Sequence, residues 1–136
     1  MKYIKLFEDL EDDDYDNTNG IDEKTINSII EEALVEFSDD GLIISSFVKV
    51  HPNRIGNIRI SNINRVKCKV SDYKESFNYL YDVLMSYDYA IYNIYTNSRF
   101  IEDGKFTDKD FEYIWDAIIN STNDKFLSVQ FSVFKR

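Results

Sequence analysis

Hydrophobic positions in this chain follow two rhythms, one helical and one alternating, and their order sketches a fold. Ile4, Phe7 and Leu10 stand at helical spacing and predict a short amphipathic helix within residues 1–10. Residues 11–20 (EDDDYDNTNG) offer almost nothing to bury and read as an acidic loop or disordered linker. Over residues 22–37, Ile26, Ile29, Ile30, Ala33, Leu34 and Phe37 form one helical stripe, with Asp22 or Thr25 as its cap and Gly41 as its stop. Residues 42–50 (LIISSFVKV) read as a strand, and His51, Pro52 and Asn53 as a turn. One or two strands follow within residues 58–70. In their last part Val66, Cys68 and Val70 alternate with Arg65, Lys67 and Lys69, which predicts an apolar and a cationic face.

A second helix begins at Ser71 or Asp72, with Glu75 at capping-box spacing and Tyr73, Phe77, Leu80, Tyr81, Leu84 and Met85 as its buried stripe. Residues 89–96 (YAIYNIYT) predict a strand, residues 97–106 a loop, and Thr107 the cap of a third helix buried through Phe111, Ile114, Trp115, Ile118 and Ile119. Over residues 126–134, Leu127, Val129, Phe131 and Val133 alternate with polar residues, so one sheet face is buried and the other partly wet. The expectation is an α+β two-layer sandwich: a mixed β-sheet of about four strands with helices packed on one face. Residues 21–136 form a single domain in this reading, and residues 1–20 a short helix and acidic N-terminal arm.

Composition narrows the chemistry. The chain has 136 residues, one cysteine and one histidine, which excludes an internal disulfide framework and leaves multi-histidine metal sites and Ser-His-Asp catalysis without their residues. No apolar run approaches the ~20 residues of a membrane span, and no signal peptide is recognised, so a soluble protein of a reducing cytoplasm, or of a particle assembled there, is expected. The net charge of −9 is unevenly spread: residues 1–40 hold 14 acids against 3 lysines, and residues 41–136 hold 11 acids against 13 bases. The acidity belongs to the arm, which argues against duplex DNA binding over the whole surface. P-loop, G-x-G-x-x-G, G-x-S-x-G and H-E-x-x-H motifs are missing, and no enzymatic activity is expected.

Three groups of residues remain as candidates. Asp12, Asp14, Asp16 and Glu23 occupy positions 1, 3, 5 and 12 of an EF-hand-like loop, a spacing that converges carboxylates on calcium. Asn17 stands where that loop needs glycine, and a solvated acidic linker is the plainer reading. Arg65, Lys67 and Lys69 offer a basic strand face to a nucleic-acid backbone or an acidic partner, or form a solvated face that discourages edge pairing. A further alternative lays the acidic arm over them. Seven tyrosines lie between Tyr73 and Tyr95, and Tyr89, Tyr92 and Tyr95 are candidates for an interaction surface. His51 reads as a surface or packing residue, and Cys68 as a buried small hydrophobe.

The opening residues 1–8 (MKYIKLFE) and the run 34–41 (LVEFSDDG) ahead of a strand resemble small uncharacterised proteins encoded by large tailed bacteriophages. That resemblance implies no assigned activity. It does imply a route: in T-even-like phages, short N-terminal helices target proteins into the prohead, where a protease cuts after L-x-E, and Leu6-Phe7-Glu8 fits that pattern. The leading expectation is a non-enzymatic protein–protein interaction module of phage type, monomeric or a small homo-oligomer. It would use its sheet face or tyrosine-rich surface as a host-protein modulator or minor virion component. The alternatives are a nucleic-acid role, through the basic strand or an acidic DNA-mimic arm, and a calcium-binding switch.

Overall fold

The structure is a computed structural model, and it describes residues 22–50, 55–101 and 106–136. Helices α1 (Glu23–Ala33) and α2 (Val35–Asp39) come first, followed by strands β1 (Ile43–Val48) and β2 (Ile55–Ser61). A 3-10 turn (Val70–Tyr73) leads into α3 (Lys74–Ser86), then β3 (Tyr89–Thr96), β4 (Arg99–Phe100), α4 (Phe111–Thr122) and β5 (Ser128–Lys135). The strands form one sheet in the order β1-β2-β5-β3-β4, and every pairing in it is antiparallel. The α+β class is therefore as expected, while the mixed sheet of about four strands is corrected to a five-stranded antiparallel one. Each neighbouring pair is joined by a hairpin or by a connection that returns over the helical layer, and neither demands a parallel crossover. Among the described residues no helix is long and apolar enough to cross a membrane.

The first stripe is bent rather than straight. Leu34 leaves helical geometry (φ −101°, ψ 6°) and splits the predicted helix in two, yet Ile26, Ile30, Ala33, Leu34 and Phe37 all remain buried. Asp22 caps α1 by accepting from the Thr25 amide at 2.8 Å. At the end of α2, Gly41 takes φ +97° while its own amide reaches Ser38 O and the Leu42 amide reaches Phe37 O, a Schellman stop that favours glycine. α4 is capped by Asp110, which accepts from the Tyr113 amide at 2.9 Å, and not by Thr107. Asp108 lies before the helix and pairs with Arg136 at 2.9 Å.

The described helices all pack on one face of the sheet, and the core lies between the layers. Its centre is aromatic: Phe37 stands 4.8 Å from Tyr73 and 5.0 Å from Phe77, ring to ring, and Phe77 reaches Trp115, Phe126 and Phe131. Burying each such ring contributes about 1.5–3 kcal/mol. Gly56 sits opposite Val48, where a Cβ would lie 2.6 Å from Phe47 O. Lys135 is buried on the inner face, donates to Tyr87 O at 3.2 Å and lies over the Tyr89 ring. Its charge thereby meets the C-terminal end of α3, where the helix dipole is negative.

The basic segment departs from its predicted strand. Residues 66–68 have no ladder partner, and Lys69 makes only an isolated bridge to Lys125. Asn62 takes the place of a neighbouring strand: its amide group donates to Val66 O and Phe126 O at 3.0 Å each and accepts from the Val66 amide at 2.8 Å. Arg65 takes φ 56° and the chain bends at Lys67, yet the period of two in exposure survives without a sheet. Arg65, Lys67 and Lys69 are exposed, Val66 and Cys68 half-buried and Val70 buried.

Candidate interaction face

Alternation along the strands sends one set of side chains into the core and leaves the other set on a face that no described residue covers. Register aligns this outer set in rows: Ser45–Arg59–Gln130–Tyr95 across the middle, Phe47–Asn57–Ser132–Asn93 beside it, and Ile55–Phe134–Ala90 beyond, with the small Ser132 and Ala90 themselves buried among their neighbours. The rim is apolar and aromatic, with Phe47 46% exposed, Ile43 45%, Phe100 45% and Tyr92 37%. Tyr92 packs against Phe134 at 5.7 Å and Tyr95 against Phe100 at 5.3 Å. The middle is polar and tied together, since Gln130 Nε2 and Ser132 Oγ both donate to Asn57 Oδ1 at 3.1 and 3.2 Å. An apolar rim around fixed polar groups is the reverse of a solvated sheet surface.

Charge singles this face out further. None of the five strands contains an aspartate or glutamate, in a chain whose net charge is −9. Every acid among the described residues lies on a helix, a cap or a turn. Arg59 stands in the middle row of the face, on β2 beside the central strand β5, and its Nε donates to Ser61 Oγ at 3.2 Å while its terminal nitrogens have no protein partner among the described residues. A depression of about 240 Å³ opens beside it, lined by Arg59, Tyr95, Ser98, Ser128 and Gln130. Ser98 reaches this spot because Asn97 and Ser98 both take positive φ in a two-residue hairpin. A planar guanidinium with hydroxyl and amide donors around it fits a carboxylate.

The residues singled out from sequence are dispersed by the structure. Tyr89 is a correction: it is fully buried on the helix side of β3, and its hydroxyl donates to Lys49 O at 3.3 Å. Tyr92 is the extra residue of a β-bulge between Ile91 and Asn93, and only Tyr92 and Tyr95 reach the open face. Arg65, Lys67 and Lys69 are not a strand face and lie outside the sheet. Asp12, Asp14 and Asp16 fall outside the described residues, as does His51; Glu23 opens α1 and its Oε1 accepts from the Val50 amide at 3.3 Å. Arg59, Phe47 and Phe134 went unnoticed in the sequence, although Asn57, Arg59 and Ser61 alternate with Ile58 and Ile60 in the period that marks a half-buried strand.

A second hollow, of about 420 Å³, lies beside the basic segment and is lined by Glu36, Asp40, Lys67, Cys68, Asp72 and Tyr73 among others. Tyr73 donates to Asp40 Oδ2 at 2.8 Å, and Ser76 donates to Glu36. Burial, and then the Asp40 carboxylate, push the Tyr73 hydroxyl well above its ordinary range. Burial also raises the Cys68 thiol, so both groups hold their protons at neutral pH and neither is an activated nucleophile. Acids interleave with the cations there, so Lys67 stands in a locally balanced field rather than a basic patch. No protein-family model, curated protein or solved structure matches this chain.

Proposed function

We propose that the chain is a non-enzymatic protein–protein interaction module of the phage type its N-terminal sequence resembles, acting on a host protein or from a minor place in the virion. Its contact surface in this reading is the open sheet face. The observation that carries it is the combination found there: exposed Phe47, Tyr92 and Phe100 around Arg59 in the middle row, on strands without one acid. Aromatic and arginine side chains are the groups that anchor protein interfaces. The partner's chemistry follows from the charge: it presents a carboxylate to Arg59 and apolar side chains to the rim.

The test compares captured partners of the wild-type protein with those of Arg59→Glu, Phe47→Ser and Lys67→Glu variants. One partner retained by wild type and by Lys67→Glu, lost from both face variants and weakened by salt, supports the reading. A partner lost only on Lys67→Glu overturns it in favour of the basic segment. Binding of a fluorescent oligothymidylate that Arg59→Glu abolishes, with no protein captured, would move the face to single-stranded nucleic acid, where aromatics stack on bases.

A further inference from the structure

The same face has a candidate occupant within the chain itself. We infer that in the free protein the open sheet face is covered by the chain's own acidic segment, residues 8–16, with a carboxylate seated against Arg59. This inference rests on reading the face as a contact surface, and it names what a partner must displace. Residues 8–16 (EDLEDDDYD) carry seven acids and no base, and they follow Ile4 and Phe7 and include Leu10. Acid-free strands with an arginine in the middle row and an apolar rim complement both properties of that sequence.

Position and length agree. The described chain begins at Asp22, whose neighbour Glu23 bonds to Val50 and whose helix bonds to Val48 through Asn27, so it starts beside the edge strand β1. Reaching Arg59 from there means passing round β1, crossing roughly 10 Å between layers, about 10 Å along the strand and about 5 Å across to β2. Asp16 precedes Asp22 by six residues and Glu11 by eleven, which extended span about 20 Å and 36 Å. Lys49, exposed between the inward Val48 and Val50, marks the way with a cation. A second copy fits worse. A twofold contact through this face sets Arg59 against Arg59 with no carboxylate supplied by either sheet, and burying unpaired charge is unfavourable.

Paramagnetic relaxation in the full chain tests this. A nitroxide is placed at Asp12→Cys, and separately at Asp14→Cys, in a Cys68→Ser background whose amide spectrum reports its fold. The expected result is loss of more than half the amide intensity at Arg59, Gln130 and Tyr95 at low salt. Intensity should return at about 0.5 M salt, where screening shortens to a few ångströms, and in an Arg59→Glu variant. Broadening centred on residues 65–69, broadening that salt leaves intact, or none at all from either label would overturn the internal cover. Such a failure is separable from failure of the partner reading, because that reading is scored by capture on the face variants and does not require the arm.

Discussion

The side-chain amide of Asn27 does for strand β1 what a sixth strand would do. It donates to Val48 O and accepts from the Val48 amide, both at 2.8 Å, and its second donor goes to Glu23 O at 2.8 Å. Both main-chain groups that Val48 turns outward are thereby satisfied, and α1 is fastened to the sheet edge. Asn27→Ala is expected to destabilise the protein by about 1–3 kcal/mol, the penalty for orphaned polar groups in a partly buried site, as read by denaturant unfolding. It also leaves an unblocked strand edge, so light scattering should show concentration-dependent association absent from the wild type. Asn27→Asp keeps the acceptor but turns a carboxylate on two carbonyls; its destabilisation should ease as acid protonates the introduced group.

Asn62 fastens the segment that carries Arg65, Lys67 and Lys69. Asn62→Ala is expected to lower stability by about 1–3 kcal/mol. The more specific sign is hydrogen exchange, with protection lost first at the Val66 amide while the β2–β5 amides keep theirs. Equal loss at both places would show that Asn62 supports the whole sheet rather than the segment.

Gly56 is required for contact, not for backbone freedom. Because a Cβ there would press on the Phe47 carbonyl and on Val48, Gly56→Ala has to spread β1 from β2. The expected destabilisation is about 1–3 kcal/mol, as for other overpacked sites, with the largest amide shifts at residues 47 and 48. Unchanged stability would mean that the hairpin yields without strain.

Asp22 should give the N-terminal half a recognisable pH dependence. Hydrogen bonds from Thr25 hold its carboxyl below the ordinary value of 3.8. A depressed folded-state value stabilises above the unfolded one, and that stability drains away as pH falls through the folded value. Asp22→Ala should thus cost about 1 kcal/mol at neutral pH, as for other N-caps, and the melting difference from wild type should narrow below pH ~3.8.

Much of the fold was legible because burial in a two-layer protein leaves a strong rhythm. The stripe Ile26–Ile30–Leu34–Phe37 and the alternation of Val129, Phe131 and Val133 place their elements correctly, and both sets are buried. Where side chains replace backbone partners, the rhythm misleads. Residues 65–70 alternate like a strand, yet Asn62 supplies the bonds a strand would, and no local pattern announces an asparagine acting at such a distance. Direction of pairing was equally hidden, since two antiparallel neighbours far apart in sequence look like any other apolar runs. The face was half visible: alternation marks Arg59 as outward, but its place beside the central strand depends on β5 lying between β2 and β3.

The bulge at Tyr92 shifts the reading frame of a strand. Before it, Tyr89 and Ile91 point inward; after it, Ile94 and Thr96 do, so the inward set passes from odd to even numbers. Three tyrosines spaced alike in sequence therefore end in three surroundings: core, bulge and open face. Removing Tyr92 alone would restore strict alternation and leave Ile94 inward and Tyr95 outward, since Ile91, Asn93 and Ile94 already face consecutive residues of β5. Keeping Tyr92 but pairing it in the ladder would instead exchange the stations of Ile94 and Tyr95, sending a hydrophobe to solvent and a phenol to the core without any letter of the chain being changed.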